Sequence, residues 1–130
     1  MRFIPTRVHG VLDYLTGLLL IAAPWVFGFA DGGAEQWVPI LLGVGVIGYS
    51  LLTSYELGVK RTLSVPTHLW LDVMGGALLA ASPWLFGFAD RVYIPHLVVG
   101  AGEILIALMT QTAPAVMHHR HTHAHAGRAP

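Results

Sequence analysis

Apolar residues gather in four blocks along the chain, about 8–29, 36–55, 67–88 and 92–113, with most charges held in the links between them. Each block holds about 20 residues, the length of a helix that crosses roughly 30 Å of hydrocarbon. The second is the cleanest, with 20 uncharged residues between Glu35 and Glu56. The first and third keep 17 uncharged residues after Asp13 and Asp72 (14–30 and 73–89), so those acids are expected near one interface or paired. Four such blocks in succession predict four transmembrane helices rather than the core helices of a soluble domain. The links 30–35 and 89–91 are short enough to close helical hairpins, the first with Gly32 and Gly33 at its turn. Pro39 and Pro95 are expected in the first turn of the second and fourth helices, where a missing N–H costs little.

The blocks come as two copies. His9–Asp31 and His68–Asp90 align without a gap at an offset of 59, and 14 of the 23 positions are identical, including the terminal Phe-Gly-Phe-Ala-Asp. Trp37-Val38-Pro39 and Tyr93-Ile94-Pro95 correspond at an offset of 56, so the duplication takes in the second helix of each hairpin. The predicted architecture is an all-α bundle of four transmembrane helices built from two parallel hairpin repeats. Residues 1–56 form the first repeat, 57–66 a cytoplasmic link and 67–113 the second repeat. The His-rich 114–130 tail follows, and its polar composition predicts disorder.

Composition agrees with a membrane class. Hydrophobic residues make up 55% of the 130 and charged residues 11%, against about 25% charged in soluble domains. Seven Lys+Arg balance seven Asp+Glu, so no basic surface points to nucleic acid. The absence of Cys excludes disulfides, thiolate metal sites and Cys nucleophiles. Arg2, Arg7, Lys60, Arg61, Arg120 and Arg128 fall on one side of a four-span arrangement and only Arg91 on the other. The positive-inside rule then places both termini and the central link in the cytoplasm, in a protein of the cytoplasmic membrane. Trp25, Trp37, Trp84 and Tyr93 would form an aromatic belt at the outer interface. The N-terminal block resembles a secretory signal, but it recurs at 68–90 and Pro24 follows the apparent cleavage site, so it is expected to be a retained span.

Candidate chemistry is sparse. At 100° per residue His9, Asp13, Gly17, Leu20, Pro24 and Phe27 share an arc of about 80°, and His68, Asp72, Gly76, Leu79, Pro83 and Phe86 repeat it. The four-residue spacing sets each His one turn from its Asp. Either each Asp is neutralised by its own His or a nearby Arg, or the two pairs converge across the repeat axis to hold a cation or relay protons. Their ligand types suit zinc or a similar divalent ion. Glu103 lies about 15 Å into the fourth helix, near the bilayer centre, where an acid is a functional candidate by default, against the alternative of a neutral Glu bonded to a helix neighbour. Gly43, Gly45, Gly48, Gly100 and Gly102 are expected to let helices approach closely. The tail residues His118, His119, His121, His123 and His125 can chelate a transition metal. No cofactor fingerprint, phosphate loop or nucleophile constellation appears, so no cofactor and no catalytic residue are expected.

Two apolar helices carrying LD-x3-G and PW-x-FGFAD, each followed by a second helix, resemble the SPW repeat family of small membrane proteins. The resemblance covers about residues 5–113. Copy two has Ser82-Pro83-Trp84, whereas copy one has Ala23-Pro24-Trp25, so the Ser hydroxyl is not expected to be essential in both halves. The resemblance implies an integral membrane protein with no established activity, and the leading expectation is a small structural or accessory protein of the cytoplasmic membrane, without catalysis. A minimal proton or metal-cation transporter is the alternative, and the bilayer the expected partner.

Overall fold

The computed structural model describes residues 2–113; the tail, with its predicted disorder and metal-binding histidines, lies outside the described residues. Among the described residues the chain is all-helical: α1 Thr6–Val26, α2 Ala34–Leu51, α3 Val65–Leu85 and α4 Ile94–Met109. The first three helices begin two residues earlier than the hydrophobic pattern predicts and end three or four residues sooner, and α4 is trimmed at both ends. Local chemistry sets these limits. At the start of α3, Ser64 Oγ accepts from the Thr67 amide at 3.3 Å, and Pro66 occupies the first turn.

The Phe-Gly-Phe repeat terminates α1 and α3. Gly28 and Gly87 adopt φ of 76° and 72°, a left-handed conformation that side chains disfavour. The next amide then reaches back five residues, Phe29 N to Pro24 O and Phe88 N to Pro83 O, both at 2.8 Å, which is the Schellman closure of a helix C-terminus. The reversal turns Phe29 and Phe88 into the protein and leaves Phe27 and Phe86 exposed. This corrects the helical-wheel placement of Phe27 and Phe86 on the buried face, because neither residue is still in a helix.

Within each copy the two helices meet backbone to backbone. A Cβ on Gly43 would lie 2.6 Å from Gly17 O, and one on Gly100 would lie 2.5 Å from Gly76 O. The two crossings correspond, and they fix the offset between α2 and α4 at 57. By contrast, Gly45, Gly48 and Gly102 have open space where a Cβ would stand. The expected packing role therefore holds for Gly43 and Gly100 and fails for the other three.

Pro39 also departs from expectation. It is the sixth residue of α2 rather than a first-turn residue, so its missing N–H leaves the Glu35 carbonyl without a helical partner. His96 of α4, the residue at offset 57 from Pro39, supplies the bond from Nε2 at 2.9 Å.

At one end the copies interlock. Phe3 N and Ile4 N donate to Met109 O and Gln111 N donates to Ile4 O, while Leu63 N bonds Leu52 O and Ser54 N bonds Leu63 O. The segment before each first helix is thereby tied to the end of the other copy's second helix, as the isolated bridges Ile4–Thr110 and Thr53–Leu63 record. At the opposite end Arg91 Nε donates to Glu35 Oε1 at 3.0 Å, and this bond raises the guanidinium further above its ordinary pKa.

Polarity is inverted relative to a soluble bundle. His9, Asp13, His68, Asp72, Thr53 and Thr110 are buried, while Leu15, Leu18, Leu41, Val44, Met74 and Leu105 face outward. The residues named for an aromatic belt, Trp25, Trp37, Trp84 and Tyr93, are all exposed. α1 and α2 are long and apolar enough to cross a membrane, with mean hydropathies of 1.3 and 1.2. α3 matches α1 in length at 21 residues, and α4 is a shorter apolar helix of 16.

Candidate functional site

Side chains from α1 and α3 converge in a buried tetrad. His9 and Asp13 come from α1 and His68 and Asp72 from α3, each residue 5% exposed or less. Nitrogen and oxygen alternate around a closed ring. His9 Nε2 lies 2.7 Å from Asp72 Oδ2 and 3.1 Å from Asp13 Oδ1; His68 Nε2 lies 2.6 Å from Asp13 Oδ2 and 3.2 Å from Asp72 Oδ2. The shorter contact of each His therefore reaches the acid of the other copy. The imidazoles sit edge to face, with centroids 5.4 Å apart. Among the described residues no Arg reaches the acids: Arg2 instead donates to the Thr110 and Ala107 carbonyls.

The outer nitrogens have equivalent partners. His9 Nδ1 meets Thr110 Oγ1 at 2.7 Å and His68 Nδ1 meets Thr53 Oγ1 at 2.6 Å. Each hydroxyl in turn donates to the carbonyl one turn back, Ile106 O and Tyr49 O, at 2.6 Å. A hydroxyl has one hydrogen. With that hydrogen spent on the carbonyl, the oxygen can only accept, so both Nδ1 atoms carry their protons. Each short Nε2–Oδ2 contact then needs one further proton between its atoms. Two such protons cancel the two carboxylate charges, which a buried, water-poor site requires.

Two residues break the symmetry of the site. The Tyr49 hydroxyl donates to Asp72 Oδ1, whereas the corresponding position in α4 is Ile106. Glu103 corresponds to buried Val46. It borders a void of about 10 Å³ beside His9, Asp13 and Asp72, and also a lateral apolar cleft of about 430 Å³ between α2 and α3. Its carboxyl hydrogen-bonds to no side chain among the described residues.

Sequence reasoning names the four members of the tetrad and Glu103 but misses Thr53, Thr110, Tyr49, Glu35 and His96. The threonines carried a signal, since each closes an apolar helix at the same offset of 57 as the glycine crossings. Tyr49 and His96 carried none, because they have no counterpart.

The repeated motif acquires a local explanation. Pro24 and Pro83 are buried in the last turns of α1 and α3, and Trp25 and Trp84 project outward at 62% and 56% exposure. Pro83 has no N–H for the Leu79 carbonyl four residues back, and Ser82 Oγ donates to that carbonyl at 2.7 Å. Ala23 offers no such donor in copy one.

No curated protein and no solved structure matches the chain. The model of the SPW repeat domain matches residues 7–110, a stretch that holds both Pro-Trp copies and every residue of the tetrad and its threonine supports. The chain belongs to the SPW repeat family.

Proposed function

We propose that the protein is a small, non-catalytic structural or accessory component of the cytoplasmic membrane. It crosses the bilayer four times as two parallel hairpin repeats, with both termini inside. One observation carries the accessory reading. Every nitrogen and oxygen of the tetrad is spent on another tetrad member or on Thr53, Thr110 or Tyr49, so the buried polar groups join the two halves rather than face a substrate. The outward apolar faces and the Trp and Tyr positions support the four spans.

Single-Cys variants of this Cys-free chain test the topology. Residues 32–34 should react with an impermeant reagent from outside, and residues 58–62 only after permeabilisation; the reverse pattern overturns the orientation. Proteoliposomes test the activity, with no proton or cation flux expected above empty vesicles.

A second reading, a minimal proton or metal-cation transporter, draws support from Glu103. That carboxyl borders both the small void beside the tetrad and the lateral cleft. Under this reading wild-type vesicles show flux, and Glu103→Gln, which keeps shape and fold, abolishes it. Flux of that kind would displace the accessory role.

A further inference from the structure

We propose that the tetrad binds one divalent transition-metal ion, with zinc the first candidate, through His9 Nε2, His68 Nε2 and one carboxylate oxygen each from Asp13 and Asp72. This site goes beyond the accessory role and stands whether or not the protein carries flux.

The donor set fits the ion. Two imidazole nitrogens and two carboxylates are borderline-soft and hard ligands in the mixture that four-coordinate zinc accepts. One ligand atom from each of the four buried residues lies within 4.8 Å of all the others. Around a tetrahedral ion with bonds of about 2.0–2.1 Å, ligand atoms stand about 3.3 Å apart. The four nitrogen–oxygen contacts measure 2.6, 2.7, 3.1 and 3.2 Å, with Asp72 using Oδ2 for both histidines and Asp13 meeting His9 through Oδ1 and His68 through Oδ2. Seating the ion therefore needs the two short contacts to open by about 0.6–0.7 Å and the Asp13 carboxylate to turn one oxygen toward both histidines, movements of side-chain torsions on α1 and α3.

The outer hydrogen bonds fit as well. A metal-bound His donates its remote N–H to a fixed acceptor, which sets the tautomer and the ring orientation. Thr110 and Thr53 do this for His9 and His68, and their own hydrogens are anchored on backbone carbonyls. Both Nε2 atoms are thus left to present lone pairs to the centre once the bridging protons leave. Tyr49 supports Asp72 in the same way.

Charge closes the case. Two neutral imidazoles and two carboxylates carry two negative charges, which one divalent ion cancels as completely as two protons do, so the buried site is neutral either way. The 10 Å³ void against His9, Asp13 and Asp72 has room on the order of one water molecule, enough for a fifth ligand on the Glu103 side.

The test uses the full-length chain in detergent with His118, His119, His121, His123 and His125 replaced by alanine, so that the tail cannot hold metal. After loading with zinc sulfate and dialysis into metal-free buffer, one zinc per chain is expected. Cobalt(II) loaded instead should give the intense visible absorption of a four-coordinate ion. His9→Gln should reduce retention to background. Thr110→Val keeps all four ligands but removes a support, and should weaken zinc binding about 10- to 100-fold, with Thr110→Ser restoring it. Circular dichroism confirms the fold of each variant, and if His9→Gln does not fold, the Thr110 pair decides. A folded parent chain that retains neither metal overturns the site, as does zinc affinity unchanged by Thr110→Val.

Discussion

Replacing Thr53 or Thr110 by valine probes the tetrad without touching any of its four members. Valine matches threonine in shape, so packing is preserved and only the hydroxyl is lost. Among the described residues the hydroxyl is the sole partner of an imidazole Nδ1, 2.6 Å from His68 in one case and 2.7 Å from His9 in the other. Both threonines are 0% exposed, so no water can take its place. Two magnitudes compete. A buried donor left unpaired costs about 1–3 kcal/mol in soluble proteins, whereas hydrogen bonds between membrane helices average only about 0.6 kcal/mol because the unfolded chain finds other partners. Here the imidazole is fixed by the acids at its Nε2 side, and changing tautomer does not help, since a bare Nδ1 lone pair would be equally unpaired. The expected cost is about 1–2 kcal/mol for each variant, similar at the two sites because the geometry is duplicated. Denaturant unfolding in micelles measures it, with Thr53→Ser and Thr110→Ser expected to recover most of the loss. Valine variants within about 0.5 kcal/mol of the parent would refute the assignment of both Nδ1 atoms as donors.

Three further outcomes follow from backbone accounting, each read by the same unfolding assay. Ser82→Ala should cost about 1 kcal/mol because the Leu79 carbonyl loses its partner; a cost near zero would leave the Ser of the motif without a structural role. His96→Leu should cost about 1–3 kcal/mol by orphaning the buried Glu35 carbonyl, and Pro39→Ala should recover much of it by restoring the α-helical N–H; strictly additive effects would sink this link. Gly43→Ala and Gly100→Ala force a Cβ to within 2.6 Å of an opposing backbone atom and should each cost about 1–3 kcal/mol, while Gly45→Ala and Gly48→Ala meet nothing and should be neutral or stabilising.

How much of this was legible follows from what repeats. The four helices, the inward stripe from His9 to Pro24 and its copy from His68 to Pro83 were readable, because period and duplication report them together. The helix ends were misplaced because hydropathy runs on through Phe27-Gly28-Phe29, whereas the helix stops where Gly28 turns left-handed. Pro39 was misread for a related reason. An apolar pattern does not show that α2 starts at Ala34, nor that a histidine 57 residues away supplies the missing bond. Pairing partners were equally hidden. The spacing brings His9 within reach of Asp13, but only the tertiary fold, which makes the side chains of α1 and α3 converge, makes Asp72 the nearer acid.

The duplicated and the unique residues divide the labour between them. Much of the scaffold occurs twice: the glycine crossings, the left-handed terminators, the His-Asp pairs and their threonines. Two residues that occur once, Tyr49 and Glu103, stand beside the tetrad and both line the cleft between α2 and α3. Tyr49 gives Asp72 a third hydrogen-bond donor, and Asp13 has no counterpart because Ile106 stands in the matching place. The two carboxylates are therefore unequal in a ring that is otherwise nearly twofold. Asp13, whose partners among the described residues are the two histidines, is the acid freer to turn away. Any opening of the tetrad, to take up an ion or to release a proton, should begin at Asp13, on the side where α4 carries Glu103 at the place of Val46 in α2.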